Sequence, residues 1–196
     1  MNDFHFMDAA IEERLDGYRQ RLEQNPADAE VHQAVCFLLS DPAQSRRLID
    51  FYRHLQREFP DAWQHQLNLA RAYSQTGKDS MAVVQLQKLL RNDPTLTDVW
   101  MELARCYYRL QKVELALRAL NSVLDVRPDF CEAHLERVRL LVDSGDLEEA
   151  AAAAIFSLEA EGLSRSVRDW LEEVDALLES GQNPPADVMS RSAGLC

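Results

Sequence analysis

The chain has 196 residues, 46% apolar and 28% charged, with a formal net charge of −12. That acidity disfavours nucleic acid and anionic membrane surfaces as partners, because both call for a Lys/Arg excess on one face. The longest apolar run, Ala150 to Phe156, is far too short to span a bilayer. Asp3, Asp8, Glu12 and Glu13 stand where a signal peptide would be basic and then apolar, so a cytoplasmic protein without direct membrane insertion is expected. Cys36, Cys106, Cys131 and Cys196 are scattered, with no CxxC pair, and are expected as small core residues or free thiols.

The spacing predicts a first helix over about residues 6–24, with Ile11, Leu15, Tyr18 and Leu22 on one face and a stop at Asn25-Pro26. Residues 1–28 thus form an N-terminal capping helix. Its Phe4-His5-Phe6-Met7 cluster either covers the first repeat or docks on a second copy. Pro26, Pro60, Pro94 and Pro128 then recur every 34 residues, the length of one helix–turn–helix unit stacked on copies of itself. The repeats run 29–62, 63–96, 97–130 and 131–164.

The first repeat is the most divergent, with Val35-Cys36-x-x-Leu39, Leu48-x-x-x-Tyr52 and Pro60. The second has Leu69-Ala70-x-x-Tyr73, Gly77, Ala82-x-x-x-Leu86 and Pro94. The third is the clearest: Trp100-x-x-Leu103-Ala104-x-x-Tyr107, Ala116-x-x-x-Leu120 and Pro128. The fourth has Leu141, Gly145 and Ala150-x-x-x-Ala154, with Gly162 in place of the proline. Small side chains (Ala70, Ala104, Ala82, Ala116, Ala150) belong where two helix backbones approach, and the larger ones fill the gaps beside them. Gly77 and Gly145 suit a left-handed turn between helices, so Gln111 at the same place predicts a strained or shifted turn. In the first repeat, Ser40-Asp41-Pro42 replaces the glycine with a cap and a proline. Asp28, Asp61, Thr97 and Asp129 are candidate caps. After the repeats, Ser164 caps a C-terminal helix over 165–181, with Val167, Trp170, Leu171, Val174, Leu177 and Leu178 on one face and a stop at Gly181. Residues 182–196, rich in Pro, Ser and Gly, are expected as a mobile tail. Ten helices and no strand are expected.

The four repeats resemble the tetratricopeptide repeat, and the likeness covers residues 29 to about 164. It implies an all-α fold, a right-handed α-solenoid of four helical hairpins between the two capping helices. It also implies that the first helix of each hairpin lines a concave groove. Carried over to this chain, the groove positions include Arg71, Arg105 and Arg139, a ladder of guanidinium groups preceded by Phe37. A second position supplies Gln33 and the apolar Leu67, Met101 and Leu135, and two more add Tyr108 and Arg109. Such a groove suits an extended or helical peptide. Two readings of the ladder stand open. The arginines contact a ligand, or carboxylates such as Glu102 and Glu136 neutralise them, leaving an acidic groove that prefers a basic partner.

The clamp of co-chaperones for acidic heat-shock tails does not fit. The matching positions hold Gln33, Phe37, Asn68, Asp98 and Glu102, of which Asn68 alone agrees. No HExxH, P-loop, GxGxxG or GxSxG motif occurs among the residues, and His5, His32, His54, His65 and His134 form no ligand-spaced cluster. Cys131 and His134 lie three apart without a second pair, so no metal, cofactor or catalytic residue is expected. Trp63 and Trp100 read as packing residues. The chain is expected to be a non-catalytic scaffold or adaptor that binds a protein or peptide. The alternative is a dedicated chaperone for a secretion-system or assembly subunit, and homo-oligomers through the array ends would be a further use of the fold.

Overall fold

The computed structural model describes residues 3–196, with side chains from residue 9 onward, and every regular element among them is helical. The Phe4-His5-Phe6-Met7 side chains therefore lie outside the described residues. The chain forms two compact units, Met1–Asp93 and Pro94–Cys196. The first holds α1 (Asp3–Gln24), α2 (Ala29–Leu38), a 3-10 turn (Pro42–Gln44), α3 (Ser45–Glu58), α4 (Trp63–Gln75) and α5 (Asp79–Asn92). The second holds α6 (Thr97–Arg109), α7 (Val113–Val126), α8 (Cys131–Ser144), α9 (Leu147–Leu158), α10 (Arg165–Glu179) and α11 (Ala186–Ser190). No described helix is long and apolar enough to cross a membrane.

The period in the sequence is the period of the helices. First helices begin at residues 29, 63, 97 and 131, and their partners at 45, 79, 113 and 147, a step of 34 in both series. The architecture is an α-solenoid of hairpins. In the first unit α4 packs on α5 and on α3, and α1 covers α2 and α3. Leu15 and Leu22 of α1 are buried, with Ile11 and Tyr18 half-buried beside them. In the second unit α7 packs on α6 and α8, and α9 packs on α8 and α10. Ala82, Ala116 and Ala150 have no exposed surface, as a close approach of two helix backbones demands.

Each hairpin turn after the first repeat has one left-handed residue at the same register. Gly77 has φ 72°, Gln111 φ 59° and Gly145 φ 85°. The amide after each turns back to a carbonyl in the last turn of the helix: Lys78 to Tyr73 (2.8 Å), Lys112 to Tyr107 (2.9 Å) and Asp146 to Leu141 (3.0 Å). A glutamine thus holds a conformation that suits glycine. In the first repeat, Asp41 accepts from the Ala43 amide (2.8 Å) and opens the 3-10 turn that leads into α3.

Three of the four expected caps are replaced. Asp28 accepts from the Val31 amide (3.1 Å), but the residues before α4, α6 and α8 are Ala62, Leu96 and Phe130, none of which makes a side-chain cap bond. At α6 and α8 a longer side chain ties the helix start to the preceding proline. The Trp100 indole donates to the Pro94 carbonyl (2.8 Å) and His134 Nε2 to the Pro128 carbonyl (2.8 Å). His32 Nε2 does the same to Pro26 (2.9 Å), which leaves Nδ1 to accept from the Tyr52 hydroxyl (3.1 Å). Ser164 caps α10 through the Val167 amide, and Gly181 closes it at φ 73°.

Residues 182–196 are expected as a mobile tail without regular structure, and the structure places a short helix there. It is the eleventh, and Val188 and Met189 join the core formed by α8, α9 and α10. The Trp170 indole donates to the Val188 carbonyl (2.8 Å) and Arg191 pairs with Glu173 (2.6 Å). Cys131 and Cys196, expected as reduced, form a disulfide across a Cα–Cα distance of 6.0 Å, while Cys36 and Cys106 remain thiols. Composition does not reveal the two adjacent apolar side chains and the one covalent bond that join the segment to the helices before it.

Candidate functional site

Helices α6 and α8 present their faces to a pocket of about 230 Å³ within the second unit. The helical pitch brings Met101, Arg105, Tyr108 and Arg109 to one face of α6, and Glu136, Arg139, Leu140 and Asp143 to the facing side of α8. Ala104 and Leu120 complete the floor. The register that set Tyr108 and Arg109 in the site would also have found Asp143, which stands one repeat beyond Arg109. Sequence reasoning carried that position no further than α6.

The charges of the site are matched from within. Arg105 donates to Glu102 (3.4 Å) on its own helix and to Glu132 (2.7 Å) on α8. Arg139 lies 3.9 Å from Glu136. The Tyr108 hydroxyl donates to Asp143 Oδ2 (2.9 Å), and that bond holds the phenol above its ordinary value. Arg109 reaches the Cys106 sulfur (3.5 Å). The lining carries Arg105, Arg109 and Arg139 against Glu136 and Asp143, and Glu102 and Glu132, which pair with Arg105 from beside it, bring the whole cluster to a formal charge of −1. Arg105 and Arg139 thus each have a carboxylate within 4.0 Å.

Of the nine expected groove residues, Met101, Arg105, Tyr108, Arg109 and Arg139 meet in this pocket. Leu135 lies nearer the start of α8, beside a second hollow that Arg139 also borders. Phe37, Leu67 and Arg71 belong to the first unit. Phe37 is 82% exposed at the end of α2. Arg71 is half-buried, and its charge reaches His32 and Tyr52. The apolar stripe needs correction: Leu67, Met101 and Leu135 are only 3%, 3% and 4% exposed. They work chiefly as core, and Leu135 is part of the packing among α8, α9 and α10. Helix periodicity sets which residues share a face, but not how far a neighbouring helix covers it.

Among the described residues no group of three or more His, Cys, Asp or Glu is placed to hold a metal ion. Three histidines, His65 and His134 buried and His32 half-buried, are shifted toward the neutral form. Burial lowers His32 and His134, and His65 falls to about 4 through burial and then the nearby His32. Neither ring nitrogen of His65 has a protein partner, and the Phe59 ring lies 5.9 Å away.

Two models of the tetratricopeptide repeat match the chain, over residues 66–95 and 101–155. No curated relative matches it in sequence. Among solved structures, the MamA protein superposes with a TM-score of 0.58 at 14% identity, over 85% of this chain and 86% of its own. YrrB, described as having an unusual peptide-binding site, gives 0.53 at 18% identity over 91% of each chain. The secretion chaperone SycD of Yersinia enterocolitica, solved with a peptide of the translocator YopD, gives 0.51 at 19% identity, over 61% of this chain and 92% of its own. At these identities the likeness is one of fold.

Proposed function

We propose that the chain, whose residues 66–95 and 101–155 match models of the tetratricopeptide repeat, is a non-catalytic interaction module that holds a peptide or helix of a partner protein against the first-helix faces of its repeats. The observation that carries this reading is the α6/α8 pocket, an apolar floor ringed by side chains that already pair with one another. Paired groups keep their geometry before a ligand arrives, so little rotamer entropy is lost on binding. The slight acidic excess selects a partner with an apolar anchor and a cation beside it. The net charge of −12 supports a protein partner over nucleic acid or a lipid surface.

The test is a pair of labelled amphipathic peptides with the same apolar residues, one bearing lysines and one glutamates, titrated into the full chain at low and high salt. The cationic peptide is expected to bind at least about tenfold more tightly at low salt. Arg105→Gln, which removes the cation between Glu102 and Glu132, should tighten it further, whereas Asp143→Lys should weaken it. A preference for the acidic peptide would overturn the charge assignment, and binding of neither would overturn the groove. A dedicated chaperone is the second reading. SycD with its YopD peptide is an example of this fold holding a client segment.

A further inference from the structure

Part of the α8 face that carries Leu135, Arg139 and Asp143 looks across two hollows onto residues 183–196. Leu135 and Arg139 border a hollow of about 340 Å³ whose other wall is Ser192, Ala193, Gly194 and Cys196. Arg139 and Asp143 border another of about 640 Å³ whose other wall includes Asn183, Pro184 and Met189. The α8 residues in register with the α6 pocket residues thus face residues 183–196 of the same chain. That segment is seated by adjacent apolar side chains, Val188 and Met189, 5% and 8% exposed, and by the Arg191–Glu173 pair. Apolar anchors followed by a cation are the chemistry proposed for a partner of the α6/α8 pocket. Between Ser192 and Cys196 the side chains are mostly small. The hollows beneath them mean that dispersion contacts are incomplete. The Cys131–Cys196 disulfide is what pins this end to the start of α8.

We propose that residues 183–196 are an intramolecular occupant of a peptide-binding face, latched by the Cys131–Cys196 disulfide, and that a dithiol reductant unlatches them to open the face to a partner segment with adjacent apolar residues and a nearby arginine or lysine. The proposal rests on the reading of the first-helix faces as a groove. A reductant thiolate attacks the exposed Cys196 sulfur and the S–S bond breaks, with Cys131 leaving as a thiolate. Cys131 is the first residue of α8, where the helix dipole favours that charge. The second thiol of the reductant then attacks the mixed disulfide and releases Cys196. The reductant departs as its own disulfide, and two electrons and two protons end on the cysteine pair.

The experiment compares the oxidised full chain, the same chain in dithiothreitol, and Cys196→Ser. Hydrogen exchange of residues 183–195 reads the seat of the segment. A labelled synthetic peptide of residues 183–195 reads the vacated face, using Met189→Asp to weaken the resident segment while α8 stays unchanged. Exchange at 183–195 should quicken at least about tenfold on reduction and in Cys196→Ser. The peptide should bind reduced Met189→Asp at least about tenfold more tightly than the oxidised wild type. Exchange that is unchanged in both the reduced chain and Cys196→Ser overturns the latch, as does equal peptide binding by the oxidised and reduced forms. If reduction frees the segment but the cationic peptide binds no form at the α6/α8 pocket, the latch stands and the groove reading falls.

Discussion

Every repeat-ending proline leaves a carbonyl near the start of the next helix, and three of the four find a ring N–H six residues on. His32, Trp100 and His134 donate to Pro26, Pro94 and Pro128 at 2.9, 2.8 and 2.8 Å. Tryptophan and histidine differ in size, but each can carry a ring donor to that carbonyl. Gln66, in the same register of the second repeat, donates to the Gln85 carbonyl (3.0 Å) instead. His134 is also within 3.0 Å of the buried Ser157 hydroxyl. Replacing it with phenylalanine keeps a ring and removes both polar contacts. His134→Phe is expected to lower stability by about 1–3 kcal/mol, the cost of leaving buried polar groups unpaired. Urea unfolding of wild type and variant measures it, and an unchanged midpoint would show that neither contact stabilises the fold. In the sequence Trp100 could be seen as a motif residue, while the histidines read as packed rings without an assigned partner. The shared donor role depends on where the preceding loop carries its carbonyl.

A hairpin is set by its two ends and by the seam between its helices. The seam was legible: alanines at Ala82, Ala116 and Ala150 mark close approach, and all three are fully buried. The turn was legible too, because glycines at Gly77 and Gly145 exposed Gln111 as the exception. With φ 59°, Gln111 meets the steric penalty that its two counterparts escape. Gln111→Gly is expected to stabilise the α6/α7 hairpin by about 0.5–1 kcal/mol, the relief of left-handed strain less the added entropy of an unfolded glycine. Thermal or urea unfolding checks the sign, and a destabilised variant would show that the glutamine side chain holds the turn. The caps were less legible. Asp61, Thr97 and Asp129 have suitable side chains, but the helices begin where Ala62, Leu96 and Phe130 occupy the capping position.

Histidines whose pKa burial depresses, in both units, couple the fold to pH. Burial depresses His32, His65 and His134 below their ordinary value of 6.5, so the unfolded chain takes up protons more readily than the folded one. Their contribution is fully present above 6.5 and is lost as pH falls, for His65 through a window that extends to about 4. Each such histidine can steepen the loss by up to about 1.4 kcal/mol per pH unit within its window. The urea midpoint is expected to drop between about pH 7 and about pH 5, and His65→Leu should flatten that slope. Equal slopes for wild type and variant would count against the assignment.

Spacing and residue type alone specify the all-helical repeat, its 34-residue step, the small residues of the seams and the left-handed turns. These features are local or strictly periodic, and periodicity survives in one dimension. Which charges meet follows from helix packing, since Arg105 and Glu132 lie 27 residues apart and Tyr108 and Asp143 lie 35 apart. It also decides that Leu67, Met101 and Leu135 are largely covered and that residues 182–196 fold onto α8 and α10. Those outcomes depend on how one helix face is laid against another, and on a disulfide that spans 65 residues of sequence. Neither spacing along a helix nor the composition of a segment encodes such distances.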